Sequence, residues 1–454
     1  MAGNYGGRGV VRVILSKAEG LGQDCIRGGW AYNSAMKNTS FLIVGFLALA
    51  AGSAAHLWAA APAAPTANAQ GAAAAAPAAP YAGAPAAPAG GGRRGGRAGG
   101  GGARRGAANL GPAPEVHAPV PNTLPGLLGK PLKWKSTGPL VVPQNDPTHF
   151  LFSIKDPTIS LIDGKWEVYA TANMIMGPAA AAAAEPGGAR RGGTFNMVHV
   201  EFTDWKNAPS AKLFYMDQAG FTGYKCAPEM FYFTPQKKWY FTFQTQPPVF
   251  CTSDTPADPK SWTKPEPFFA QGTPMPNLPI DFHFIGDGQY MYMFFTGDDG
   301  NFYRSRTTYA EFPKGMSPPV IAMAGTRNTV FEAGFTYKIK GADKYLTCVE
   351  ALGAGRYYRA YVADKLDGEW YPVEGFDTAE KPFAGKANMT FDEGVTPWSG
   401  QVSHGEMIRD TNDERMVLDP NNLMFLYQGI SDADNKGDYG ALAYKLGLLR
   451  AVKD

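Results

Sequence analysis

Cysteine is scarce in this 454-residue chain, with four residues at positions 25, 226, 251 and 348. Cys25 precedes a segment read below as a cleavable leader. Three cysteines then remain, enough for one disulfide with a thiol left over. No CxxC pair or Cys/His cluster is present, so zinc finds no support. A charge excess is also missing, since 42 basic and 40 acidic side chains leave a net +2. The longest largely apolar run, Phe41–Ala55, has 15 residues. A membrane-spanning helix needs about 20, so stable membrane insertion is not expected. Nor does the chain sustain a helical period of apolar residues, which argues against a helical body.

The small net charge hides a division. Residues 1–118 carry ten Lys/Arg against three acids, a net +7, and 119–454 carry 32 against 37, a net −5. A nucleic-acid-binding core would show a basic face, so nucleic acid is not an expected partner. Met36-Lys37, the apolar run and the small-residue stretch Ala67-Asn68-Ala69 read as a secretory signal peptide over 36–69, and a secreted protein is expected. Residues 1–35 read as an over-called upstream start. From Gln70 to Ala113, 35 of 44 residues are Ala, Gly or Pro. Such a segment buries too little apolar area to offset its ordering entropy, so 70–118 is expected to be a disordered linker. The same composition at 177–193 reads as a loop insertion in the body.

The body, 119–454, is rich in aromatic and β-branched residues, with Gly, Asp, Asn and Pro every 8–12 residues. That pattern predicts an all-β fold. Self-similarity narrows the choice. Five segments join a carboxylate to an apolar strand: Asp156 in IKDPTISLI, Glu229 in APEMFYF, Asp281 in PIDFHFI, Glu332 in VFEAGFTYKI and Glu406 in SHGEMIRD. In four of them an aromatic second strand follows, around Trp166, Trp239, Tyr290 and Tyr345. The fifth has a longer turn before NLMFLYQG. About four strands per unit and five units predict a five-bladed β-propeller. First strands line the channel of such a fold, so the five acids are expected as a ring at one mouth, with two of them capping loop amides. A ring of carboxylates suits sugar chemistry or cation binding. Glycoside hydrolysis needs one carboxylate to activate water and one carboxylic acid to protonate the leaving oxygen.

The ordered strings IKDPTISLIDGKWEVYAT, FNMVHVEFTDW, APEMFYFTPQKKWYFTFQT, FFTGDDGNFYRS, VFEAGFTYKIKGADKYLTCVEALG, RYYRAY, VSHGEMIRD, NLMFLYQG and GDYGALAYKLGLL resemble glycoside hydrolase family 62. The resemblance runs from about Trp134 to Leu449. It implies a five-bladed propeller and an inverting α-L-arabinofuranosidase acting on arabinoxylan and, in many members, arabinan. By position it implies Asp156 as general base, Asp281 as the acid that tunes pKa and orients the sugar, and Glu332 as general acid. Glu350 in VEALG is the rival for the acid. Gln244 and Tyr439 match positions near the arabinose pocket, and Lys155, next to the base, is expected to hold a sugar hydroxyl or keep Asp156 ionised. His404 is implied as a ligand of a structural calcium, an unusual role because calcium prefers oxygen. Two departures stand out: Gly440, Ala441 and Ala443 replace polar and Pro residues, and Glu229 stands where Gln is common.

Two other readings compete. A related propeller β-xylosidase or arabinanase would use similar acids. A non-catalytic glycan-binding propeller would be expected to have lost one of Asp156, Asp281 or Glu332, and all three are present. Nothing in the sequence demands an oligomer, so a monomer is expected.

Overall fold

The computed structural model describes residues 110–185 and 193–453. The expected upstream start, the signal peptide and most of the linker lie outside the described residues.

Alternating strands separated by tight turns build five sheets, the blades of a β-propeller, antiparallel apart from one short parallel pair in each of two of them. Blade 1 runs His149–Ile162, Lys165–Met176, Thr194–Phe202 and Phe214–Tyr215. Its first hairpin closes through Asp163 and Gly164, both at positive φ, which matches the right-handed strand twist. Blade 2 is Cys226–Phe233, Lys238–Gln244, Val249–Ser253 and Glu266–Pro267, and blade 3 is Ile280–Gly286, Tyr290–Thr296, Asn301–Thr308 and Val320–Ala324. Blade 4 is Phe335–Ile339, Tyr345–Leu352, Arg356–Ala363 and Tyr371–Pro372. Blade 5 takes Ser403–Met407, Met424–Gly429 and Lys445–Ala451 from the end of the chain. Its fourth strand, Trp134–Ser136, comes from before blade 1 and pairs antiparallel with Lys445–Ala451. The ring is therefore closed by backbone hydrogen bonds between the two ends of the body. Trp134 locks this closure, fully buried with its indole N–H on the Phe383 carbonyl at 2.6 Å.

Aromatic rings fill the spaces between sheets. Between blades 2 and 3, Phe231, Phe233, Phe268, Phe284 and Phe312 pack with centroids 4.7–6.3 Å apart. All three body cysteines are buried free thiols.

Two low-complexity expectations need correction. Pro178–Ala184 is a helix, not a loop, with Ala180 and Ala183 buried against Phe150 and Phe152. Alanine is the strongest helix former and proline is tolerated at a helix start, so this run propagates a helix once its small face has something to pack on. Residues 110–118, expected in the disordered linker, also make contacts. Leu110 packs on the core and the His117 ring stacks on Tyr371 at 4.3 Å. Leucine and histidine side chains offer contact area that Ala, Gly and Pro do not.

Candidate active site

The inner strands share one irregularity. In blades 1, 2, 3 and 5 the register slips at Lys155/Thr158, Cys226/Glu229, Ile280/His283 and Ser403/Gly405. At the slips in blades 1–3, Asp156, Ala227 and Asp281 take φ of 45°, 46° and 57°, and Ala333 before the blade 4 strand takes 51°. An extra residue in left-handed geometry bends the strand and re-aims the neighbouring side chains.

The bulge corrects the expected ring of five acids. Asp156, Asp281 and Glu332 line one pocket of about 140 Å³, together with Lys155, Gln244, His404 and Tyr439. Glu229 and Glu406 lie two residues beyond Ala227 and His404, deeper in the channel, where they tie blades together. Glu406 accepts from the Thr158 hydroxyl and the Ile159 N–H at 2.7 and 2.9 Å. Glu229 accepts from the Phe284 N–H at 3.0 Å and faces His283 Nδ1 at 3.2 Å. Arg409 joins three blades: it lies 2.8 Å from Glu406 and donates to the carbonyls of Ile159 and Met230 at 2.8 and 3.0 Å.

The acids in the pocket differ in state. Burial pushes Asp156 up, but the adjacent Lys155 ammonium, His404, a Thr171 hydrogen bond and Arg356 outweigh it. Its carboxyl sits below the usual range. The Asp156 N–H donates to Gln428 Oε1 at 2.8 Å, which fixes the bulge. Asp281 is the opposite case. Burial, then the charges of Glu332 and Asp156, hold its carboxyl well above the ordinary value, although the Ala333 N–H donates to Oδ2 at 2.8 Å. Glu332 pairs with Arg356, whose Nη1 also lies 2.9 Å from Glu350 Oε1. Burial and then the Glu332 charge push Glu350 up to about 7, against Arg356.

Lys155 is buried and donates to the Tyr439 hydroxyl at 2.5 Å, with Nζ 4.4 Å from that ring's centroid. Burial lowers the lysine, but Asp156, Tyr439 and Glu332 more than restore it, so it stays charged. Gln244 donates to the Tyr224 hydroxyl at 2.6 Å and accepts from the Asp281 N–H at 3.3 Å. His404 Nδ1 lies 3.4 Å from Asp156 Oδ1 and 3.7 Å from Asp281 Oδ1, at the join between the pocket and a channel cavity of about 30 Å³. Among the described residues no set of three or more His, Cys, Asp or Glu side chains is arranged to hold a metal. Calcium takes 6–8 oxygens, and the two channel glutamates are engaged with neighbouring blades. A calcium ion here would rest on His404 and water.

Sequence reasoning missed Arg356, Tyr224 and Phe195. Arg356 opens RYYRAY, and a lone arginine beside an aromatic strand carries no signal of what it pairs with. Tyr224 and Tyr439 are 45 % and 47 % exposed and flank Phe195 at the pocket rim.

Residues 133–450 match the profile of Glycosyl hydrolase family 62. Alpha-L-arabinofuranosidase C of Cellvibrio japonicus is 37 % identical over 330 residues, 72 % of this chain and 48 % of the relative; the chain thus spans about half the length of that curated relative. The α-L-arabinofuranosidase of Podospora anserina, solved with cellotriose, is 36 % identical with a TM-score of 0.62, covering 71 % of this chain and 97 % of that one. A GH62 hydrolase solved with xylotriose gives 36 % and 0.62, covering 70 % and 97 %. With the propeller, the pocket acids and a profile match over most of the chain in agreement, the chain belongs to glycosyl hydrolase family 62.

Proposed function

We propose that the protein is a secreted, inverting α-L-arabinofuranosidase that removes arabinofuranosyl side groups from arabinoxylan, and from arabinan. The observation that carries this reading is the convergence of Asp156, Asp281 and Glu332 on one small pocket. A pocket of about 140 Å³ suits a single side-group sugar better than a polymer threaded through it. The exposed faces of Tyr224 and Tyr439 offer a platform for the neutral backbone outside. A relative solved with xylotriose supports a xylan-type substrate. Export follows from the signal-like segment 36–69, and nothing in the pocket calls for a second copy of the chain.

In this reading Asp156, held ionised, takes a proton from water as the water oxygen bonds to the anomeric carbon. The bond from that carbon to the xylan oxygen breaks, and Glu332 protonates that oxygen. Arg356 stabilises the carboxylate left on Glu332. Attack from the face opposite the leaving group inverts the anomeric centre. Lys155 and Tyr439 bind sugar hydroxyls, Lys155 keeps Asp156 charged, Gln244 orients Asp281, and neutral Asp281 donates to the sugar.

A second reading has one observation behind it: Asp281, held protonated, is the proton donor instead. Leaving-group dependence separates the two. Glu332→Gln should lose most of its activity on arabinoxylan and much less on an aryl arabinofuranoside, whose leaving group needs no proton. If Asp281→Asn shows that selective rescue, the second reading holds. Asp156→Asn should fail on both substrates. The reading as a whole is tested by incubating the protein with wheat arabinoxylan, debranched arabinan and xylooligosaccharides. Free arabinose from arabinoxylan is expected, and xylose or no product would refute it.

A further inference from the structure

The general acid must carry a proton, yet Glu332 is paired with Arg356. A guanidinium beside a lone carboxylate favours the ionised form, the wrong state for a donor. The structure supplies a second claimant on the same cation. Glu350 is fully buried on the second strand of blade 4, and its Oε1 accepts from Arg356 Nη1 at 2.9 Å and from the Ser403 hydroxyl at 3.0 Å. Its Oε2 is buried without a partner. The backbones are joined as well: the Glu350 N–H donates to the Glu332 carbonyl at 3.0 Å, and the Phe331 N–H donates to the Glu350 carbonyl at 2.9 Å. Two carboxyls therefore share one guanidinium, in rigid register, in a buried site.

We propose that Glu350 is a positioning residue for the reaction: it competes with Glu332 for Arg356 and so draws the guanidinium away from the carboxyl that must give up a proton. Glu332 is freest to deliver the proton when Arg356 leans on Glu350. As Glu332 donates it to the leaving oxygen, Arg356 turns to the new carboxylate, and Glu350 keeps its Ser403 hydrogen bond. A buried carboxyl raised towards neutrality is consistent with such a pair. Other titratable groups face the pair from neighbouring blades: His404 of blade 5, neutral Asp281 of blade 3, the Lys155 ammonium of blade 1, and Tyr439 and Tyr444. Tyr358, opposite Glu350 on the next strand, is buried and held neutral. Ser403 reaches the base as well, because Gln428 Nε2 donates to its hydroxyl at 2.9 Å and Gln428 Oε1 accepts from the Asp156 N–H. One hydrogen-bonded chain thus spaces base and acid.

This inference rests on Glu332 being the general acid. The test uses the full chain, with kcat/KM measured against pH on an arabinoxylan oligosaccharide and on 4-nitrophenyl α-L-arabinofuranoside. Glu350→Gln keeps the shape and removes the charge. Arg356 then turns wholly to Glu332, and the alkaline limb on the oligosaccharide should move down by about one pH unit, a roughly tenfold loss above it. The aryl substrate should change by less than about threefold, since its departure needs little acid. Glu350→Asp, which keeps the charge, should recover much of the limb. An unmoved limb, or equal slowing of both substrates, would mean a merely structural Glu350 and would overturn the proposal. If circular dichroism shows Glu350→Gln unfolded, Ser403→Ala carries the same test. It removes a donor to Glu350 and should move the limb in the same direction. A wild-type protein that releases no arabinose refutes the parent reading; an active wild type with unmoved variants refutes this inference alone.

Discussion

Glu229→Gln should stabilise the protein, and more so as pH rises. His283 donates through Nε2 to the Thr336 carbonyl at 2.8 Å, and burial, with Arg409 and His404 nearby, pushes this histidine down to about 3. The ring is neutral, so Nδ1 is an acceptor. Glu229 Oε1, 3.2 Å away, must then supply the proton while Oε2 accepts from the Phe284 N–H. Burial and the Glu406 charge agree, holding the Glu229 carboxyl well above its ordinary range. A neutral glutamic acid here presents one donor and one acceptor, as glutamine does, so the unusual residue leaves the local charge unchanged. The cost lies in the unfolded chain, where Glu229 ionises near pH 4.3. Folding at higher pH must return the proton, at about 1.4 kcal/mol per pH unit. The folded pKa is raised, so this contribution is complete below about pH 4.3 and is lost as pH climbs towards the folded pKa. Wild type and Glu229→Gln should match near pH 4, and the variant should lead by up to about 3–4 kcal/mol at pH 7. Urea unfolding of both proteins from pH 4 to 8 measures the difference. A constant difference, or a variant less stable at pH 7, would refute the neutral-acid assignment.

Lys155→Met should raise the pKa of Asp156 by about 1–3 units, because burial is then opposed by one cation fewer. The base proposed at Asp156 works only when ionised, so the acid limb of kcat/KM moves to higher pH; a loss equal at all pH values would assign Lys155 to binding alone. Arg409→Met should destabilise the fold by about 3–5 kcal/mol, since it leaves Glu406 buried without its cation and removes ties to blades 1 and 2. Thermal melting checks this, and an unchanged Tm counts against the channel ties as structural. Cys226, Cys251 and Cys348 should resist Ellman's reagent at pH 8 until the protein is unfolded. All three are buried, and burial pushes every one of these thiols up, Cys251 to about 12.

The blades were legible because strand alternation and turn residues are local signals. Carboxylate-to-aromatic offsets repeated in four units, and those units are the first two strands of blades 1 to 4. The register of the acids was not legible. Counting from strand starts placed Glu229 and Glu406 beside Asp156, but each bulge shifts the phase and sends them deeper. Such a bulge follows from packing against the next blade and leaves no mark in residue type, since Ala227 and Ala333 occupy the left-handed geometry as Asp156 and Asp281 do. The closing strand, Trp134–Ser136, was invisible for another reason: three residues show no period. Arg356 escaped because its meaning lies in Glu332 and Glu350, which the chain brings to it only when folded.

The repeated left-handed residue carries the chemistry. Outside glycine this conformation costs about 1–2 kcal/mol per residue, and it recurs at Asp156, Ala227, Asp281 and Ala333. A fold that only needed to close could use regular inner strands and avoid that cost. At two of these positions the kinked residue itself is the acid. At a third, in blade 4, the kink falls one residue later, so that Glu332 enters the pocket while the Ala333 N–H is left to hold Asp281. In blade 2 the preceding Cys226 lines the wall, and the Ala227 N–H reaches the Thr171 hydroxyl, the group that also bonds Asp156. Each kink thus contributes either a side chain to the pocket or an N–H that holds a neighbouring blade's acid, directly at Ala333 and through Thr171 at Ala227. Acids on separate blades can be placed independently, and that is how one is kept ionised and another protonated a few ångströms apart.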